Sequence, residues 1–465
     1  MNTSSLFTRR EFLARAGMGM GALTFATMLR DALGAENPLA PRQPHFPAKA
    51  KHVIHIFAAG GPSQVDTWDP KPDLTRNAEK AIPGHDGVAF ASPFAFRKMG
   101  RAGIEVSEVF PKLGEHVDEM AVIRSLWTDI PDHGIASRFL HTGSLQQPRP
   151  SLGSWVLYGL GNANQNMPGF ISLGGTPEWR QSSFLPGVFQ GANVNYTPTM
   201  PLEEILLNIR SQFTPLEQQH KQIDLANQLN AIHSERLHKD GQLEARIQSF
   251  EMAFKMQTEA TDAFDISKES AETRALYSNV KPVQPGVRGG NKPDTLGMKL
   301  LVARRLVERG VRFVQVVHGS WDHHNDLAAN LRQRAAEVDA PAAGLLTDLK
   351  QRGLLDETLV VWGGEFGRTV VRDRNGTGGT SGGRDHNGHA ACCWVAGGGV
   401  KGGTVYGATD EFGARAMTDK VHIHDLHATI LALLGFDHER LTYRYNGRDF
   451  RLTDNFGNVV KAIIA

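Results

Sequence analysis

His52-Val53-Ile54-His55-Ile56-Phe57-Ala58-Ala59-Gly60-Gly61-Pro62 is the stretch on which the fold turns. An apolar run of strand length, closed by two glycines and a proline, reads as a buried strand entering a tight turn. Similar short apolar runs lie at 120–123, 311–317, 358–362 and 391–396. Helical patterns precede two of them. In 296–309 leucines, valines and alanines recur at helical spacing before Gly310, and 339–352 repeats the arrangement before 358–362. Strands alternating with helices predict an α/β chain whose mainly parallel sheet is covered on both faces.

Composition narrows the functional classes. The 465 residues carry 50 Lys+Arg against 49 Asp+Glu, and 40% are hydrophobic. Such a chain has no basic field for nucleic-acid binding and enough apolar content to fold. Its two cysteines, Cys392 and Cys393, are adjacent and poorly placed to pair, so stability must come from a core. Residues 1–35 contain Thr8-Arg9-Arg10-Glu11-Phe12-Leu13, a weakly apolar Gly-rich run and a small-residue stretch near Ala32 and Ala35. This pattern predicts a twin-arginine (Tat) signal, with the Tat translocase as the partner in export and a periplasmic or secreted product. After cleavage no membrane span is expected; an uncleaved signal would tether the chain. Without residues 1–35 the formal charge is −1. A Pro-rich linker is expected over 36–49, the folded domain over 50–465, and an inserted set of amphipathic helices over about 201–275.

Chemistry-bearing residues gather where strands are expected to end. His318-Gly319-Ser320-Trp321-Asp322-His323-His324 follows the run 311–317, at the carboxyl edge where open α/β sheets place ligands. Asp322 and His324, two residues apart, offer oxygen and nitrogen donors to one divalent ion, zinc first, with manganese or iron as alternatives. Gly363-Gly364-Glu365-Phe366-Gly367-Arg368 follows 358–362. Glu365 is read as a ligand or general base, and Arg368 as a bidentate holder of a tetrahedral oxyanion. Gly383-Arg384-Asp385-His386-Asn387-Gly388-His389 precedes 391–396, and His386 is expected as the third ligand. Asp66, in the turn after the first strand, is a further candidate ligand or a turn cap. In 129–143 a polar loop carrying His133 leads into a helix, whose N-terminus favours an anion.

Taken together, GGPSQVDTWDPKP, DHGIASRFLHTG, SLGSWVLYGLG, WDHHNDL, GGEFGRT, GRDHNGH and the C-terminal DLHATILALLGFDHERLTYRYNGRDFRLTD resemble the DUF1501 family of exported bacterial proteins, from about Ala50 onward. That family resembles the alkaline phosphatase and sulfatase superfamily. The resemblance implies a three-layer α/β sandwich with a metal site at the strands' carboxyl ends. It also implies that Asp322, His324 and His386 serve as ligands. Three departures stand out. Phe366 replaces the histidine of the usual Asp-His pair, Ala59 stands where a ligand aspartate is usual, and Gly134 occupies the position of a nucleophile that matures to formylglycine.

Two functional expectations follow. The first is an exported metal-dependent hydrolase of phosphate or sulfate esters, with His133 as nucleophile or acid/base, Glu365 and Arg368 assisting, and Asp66 as an added ligand. The second is a non-catalytic periplasmic binding or scaffolding protein that keeps the fold; Gly134, Phe366 and Ala59 favour it.

Overall fold

The computed structural model describes residues 37–146, 148–196, 218, 221, 225, 261–278, 295–373 and 382–465. The expected export signal and most of the expected helical insertion lie outside the described residues. Within them, nine strands form one sheet. These are β1 (His52–Ala58), β2 (Met120–Trp127), β3 (Phe170–Leu173), β4 (Ala192–Asn193), β5 (Phe313–His318), β6 (Thr358–Gly363), β7 (Ala391–Ala396), β8 (Thr404–Tyr406) and β9 (Val421–His422). The order is β8-β2-β7-β6-β1-β5-β3-β4, with β9 also on β2. Only β7 among them runs against its neighbours, so the sheet is mixed and mostly parallel.

Side-chain alternation sets the three layers. Ile54, Ile56 and Ala58 of β1 enter one apolar cluster and Val53 and Phe57 the other, as period-two alternation requires. The first cluster is closed by α3 (Leu296–Glu308) and α4 (Leu327–Gln351), the second by α1 (His133–Thr142), α2 (Leu152–Leu160) and α5 (Ile423–Leu433). Each large apolar side chain buried this way contributes about 1.5–3 kcal/mol.

The helix expected over 339–352 is the second half of α4, which runs on through Pro341. Proline and an aspartate look like a helix start. Instead the Asp339 carboxylate accepts the N–H groups of Lys112 (2.9 Å) and Leu113 (2.8 Å) from a distant turn. Residues 37–49, expected as a linker, lie along the body: the Arg42 N–H donates to Leu160 O at 2.8 Å and the Lys49 N–H to Leu433 O at 2.9 Å. No helix among the described residues is long and apolar enough to cross a membrane.

The direction of β7 positions the site. Because β7 is reversed, its first residue Ala391 lies at the edge where β1, β2, β5 and β6 end. The segments after those four strands and the segment before β7 therefore converge on one edge.

Candidate metal centre

The two turns that carry the site are joined to each other. Beyond β1 and β5, the Ala59 N–H donates to His318 O (3.0 Å) and the Trp321 N–H to Ala59 O (3.2 Å). Gly60 allows this approach: its φ is +116°, and a Cβ there would lie 2.7 Å from the Asp322 nitrogen. The strand pair Gly367–Arg368 and His386–Asn387, with His386 opposite Arg368, brings the third segment in. His133 begins α1, whose N-terminus is capped by the Asp132 carboxylate accepting from the Ile135 N–H at 2.9 Å.

These segments place three imidazoles around one carboxylate oxygen. Asp322 Oδ1 is 2.9 Å from His324 Nε2 and 3.3 Å from both His386 Nε2 and His133 Nε2. His324 Nε2 and His386 Nε2 are 3.1 Å apart. Behind each ring an acceptor holds Nδ1: Asp373 for His324 (2.6 Å), the Pro131 carbonyl for His386 (2.9 Å) and Glu365 for His133 (2.7 Å). Carbonyls and carboxylates only accept, so each Nδ1 carries a proton, and the Nε2 atoms of His324 and His386 are the ones that face Asp322. Among the described residues, His133–Asp322–His386 and His324–Asp385–His386 also bring donor atoms within metal-binding reach of one another.

Electrostatics follow from the same contacts. Burial opposes ionisation of Asp322, but the His133 and His386 imidazoles at 3.3 Å and the Arg368 charge outweigh it and hold the carboxyl well below the usual carboxylate range. Burial likewise works against His133, yet its bonds to Asp322 and Glu365 raise it to about 9 in the metal-free protein.

The remaining sequence candidates are placed differently. Glu365, expected as ligand or base, is buried and accepts from His133 and from the Gly60 N–H at 2.9 Å, so it orients a ring. Arg368 does not face an open pocket. Its buried guanidinium donates to Asp322 Oδ1 (2.6 Å), to the Gly61 and Arg384 carbonyls (2.9 and 3.1 Å) and to the Gly60 carbonyl, a setting for fixing Asp322 rather than holding an oxyanion. Asp66 lies outside the cluster, in a fully buried ion pair with Arg384 at 2.7 Å, and steadies the segment leading to His386. Phe366 packs against both His133 and His386, with ring centroids 4.9 and 4.7 Å away. The residues missed in the sequence are Asp373 and Asp385. Asp385 stands within the quoted 383–389 motif beside His386; Asp373 lies in a polar stretch with no periodic signal. The cluster opens into a cleft of about 730 Å³ that His133, Asp322 and Glu365 line, whereas His324 and His386 do not.

The family model described as "Protein of unknown function (DUF1501)" matches residues 50–464. The chain belongs to the DUF1501 family. No curated protein matches this DUF1501 chain. Solved structures similar to it include the PsFucS1 sulfatase from Pseudoalteromonas sp. (14% identity, 91% of this chain and 73% of that one, TM-score 0.33). Others are the lipoteichoic acid synthase LtaP from Listeria monocytogenes (10%, 89% and 78%, TM-score 0.35) and an alkaline phosphatase from the Antarctic bacterium TAB5 (12%, 76% and 92%, TM-score 0.30).

Proposed function

We propose that this DUF1501 chain is an exported, metal-dependent hydrolase of phosphate or sulfate esters, carried folded across the membrane by the Tat translocase. One observation carries the reading. Asp322 Oδ1, His324 Nε2 and His386 Nε2 lie within 3.3 Å of one another, with both imidazole protons committed elsewhere. Three acceptors facing each other repel unless a cation or a proton sits among them. The donor set fits a divalent ion, zinc first, with manganese or iron as alternatives. Such an ion, when bound, polarises an ester oxygen and makes water more acidic.

The chain's own residues supply the rest. Asp373 and Pro131 fix the tautomers and orientations of His324 and His386. Arg368 balances the Asp322 charge and holds that carboxylate in place. Hydrolysis breaks an O–P or O–S bond, adds water, and leaves a departing oxygen that needs a proton. His133 is the imidazole on the cleft side, and Glu365 holds it in the orientation that presents Nε2, so it is placed to donate that proton.

A panel of aryl sulfates, phosphate monoesters and diesters, assayed with metal supplementation, tests the reading. Turnover is expected on at least one, and His133→Ala is expected to lower it by about 10²–10⁴-fold with metal content unchanged. Metal retention and anion binding without turnover on any substrate would replace the hydrolase with the binding-protein reading.

A further inference from the structure

The cleft next to the cluster has a rigid aromatic wall. The Trp179 indole lies parallel to the His141 ring (centroids 5.0 Å apart, 8° between planes) and meets Phe57 edge-on at 5.0 Å. His141 is itself buried, its Nδ1 held by the Ser137 carbonyl at 2.7 Å. Gly175 lets the indole come close, since a Cβ there would lie 2.6 Å from it. The indole is thus fixed on one side and borders the cleft. A preformed aromatic platform favours a flat ring, because no rotamer freedom is lost when the ring stacks.

Charge around the cleft points the same way. Among the described residues its ionisable lining is His133, Glu178, Asp322 and Glu365, with no lysine or arginine. Two nearby guanidiniums are already engaged, Arg138 with Glu178 (3.4 Å) and Arg368 with Asp322 (2.6 Å). A second negative charge on the reacting group therefore meets the Glu178, Asp322 and Glu365 carboxylates, offset only by His133 and the bound ion itself.

Resting on the hydrolase reading above, we infer that the cleft takes a singly charged ester whose non-reacting part is a flat ring seated on Trp179, and rejects doubly charged monoesters. Trp179 is a specificity-determining residue for the ring. The bond broken is the O–S bond of a sulfate ester or one O–P bond of a phosphodiester, with water adding to the acid and the proton passing to the ring-bearing oxygen.

Calorimetric binding of three non-hydrolysable probes tests this on the full metal-loaded protein. 2-Naphthalenesulfonate has a ring and one charge, 2-naphthylphosphonate has a ring and two charges at about pH 8.5, and butanesulfonate has one charge and no ring. The naphthalenesulfonate is expected to bind about tenfold tighter than either of the others. Trp179→Ala should remove the preference over butanesulfonate while leaving butanesulfonate affinity and metal content unchanged, and Trp179→Phe should keep most of it. Tighter binding of the phosphonate, or a ring preference that survives Trp179→Ala, overturns the inference. Failure of the hydrolase reading looks different: the probe preferences persist, yet no ester is turned over.

Discussion

Two trios of histidines occupy this chain, and they differ in what stands behind each ring. His133, His324 and His386 have Nδ1 held by Glu365, Asp373 and the Pro131 carbonyl, and their Nε2 atoms point at Asp322. His55, His141 and His427 are buried among apolar side chains. His141 and His427 bond only to backbone carbonyls, and His55 Nδ1, His141 Nε2 and His427 Nδ1 have no hydrogen-bond partner among the described residues. Burial pushes His55 down to about 4, His427 to about 3 and His141 well below its ordinary value. His133 moves the other way, to about 9. Histidine content does not make a candidate metal centre; acceptors that aim the rings at a shared carboxylate do.

The largest expected effect comes from cutting the support of the first trio. Asp66→Ala leaves Arg384 charged and unpaired in the interior, which costs about 3–5 kcal/mol. Urea unfolding should show a lowered midpoint with an unchanged slope; an unchanged midpoint would mean that the pair holds nothing in place.

Acid should expose the second trio next. Its folded pKa values lie below the unfolded 6.5, so the unfolded chain binds more protons as pH falls and stability drops from about pH 6.5 downward. At about 1.4 kcal/mol per residue per pH unit, His55 and His427 together remove about 3 kcal/mol between roughly pH 7.5 and 5.5, and His141 adds in the same direction. Thermal unfolding across that range checks this, and the loss should shrink in a His427→Gln variant. A flat profile would place protons on these rings in the folded state.

The smallest of the three effects separates ring orientation from ring identity. Asp373→Asn weakens the acceptor behind His324 without touching a donor atom of the cluster, and should reduce metal affinity by about 10- to 100-fold. Chelator competition measures it; wild-type affinity would mean that His324 needs no such support.

Much of this was legible in the sequence, for physical reasons that also mark where legibility stops. Strand ends are punctuated locally, so 52–58, 358–362 and 391–396 emerge as strands and Asp322, Glu365 and His386 fall at one edge. The run 120–123 extends to Trp127 because Arg124 and Ser125 interrupt its apolar pattern without ending the ladder. Partners across the fold have no local signal. Glu365 meets His133 across 232 positions and Asp66 meets Arg384 across 318. Arg368 looked suited to an oxyanion because a guanidinium is, but the tight packing at Gly60 and Gly61 brings carbonyls to it first.

The central claim is that the Asp322–His324–His386 cluster holds a metal ion, and elemental analysis tests it most directly. Protein purified from its native host should carry about one divalent ion per chain. The double variant Asp322→Ala with His386→Ala should carry none while still folding, and His141→Gln should keep the full content. Metal retained in the double variant, or wild-type protein that stays metal-free after incubation with zinc, manganese and iron, would contradict the account.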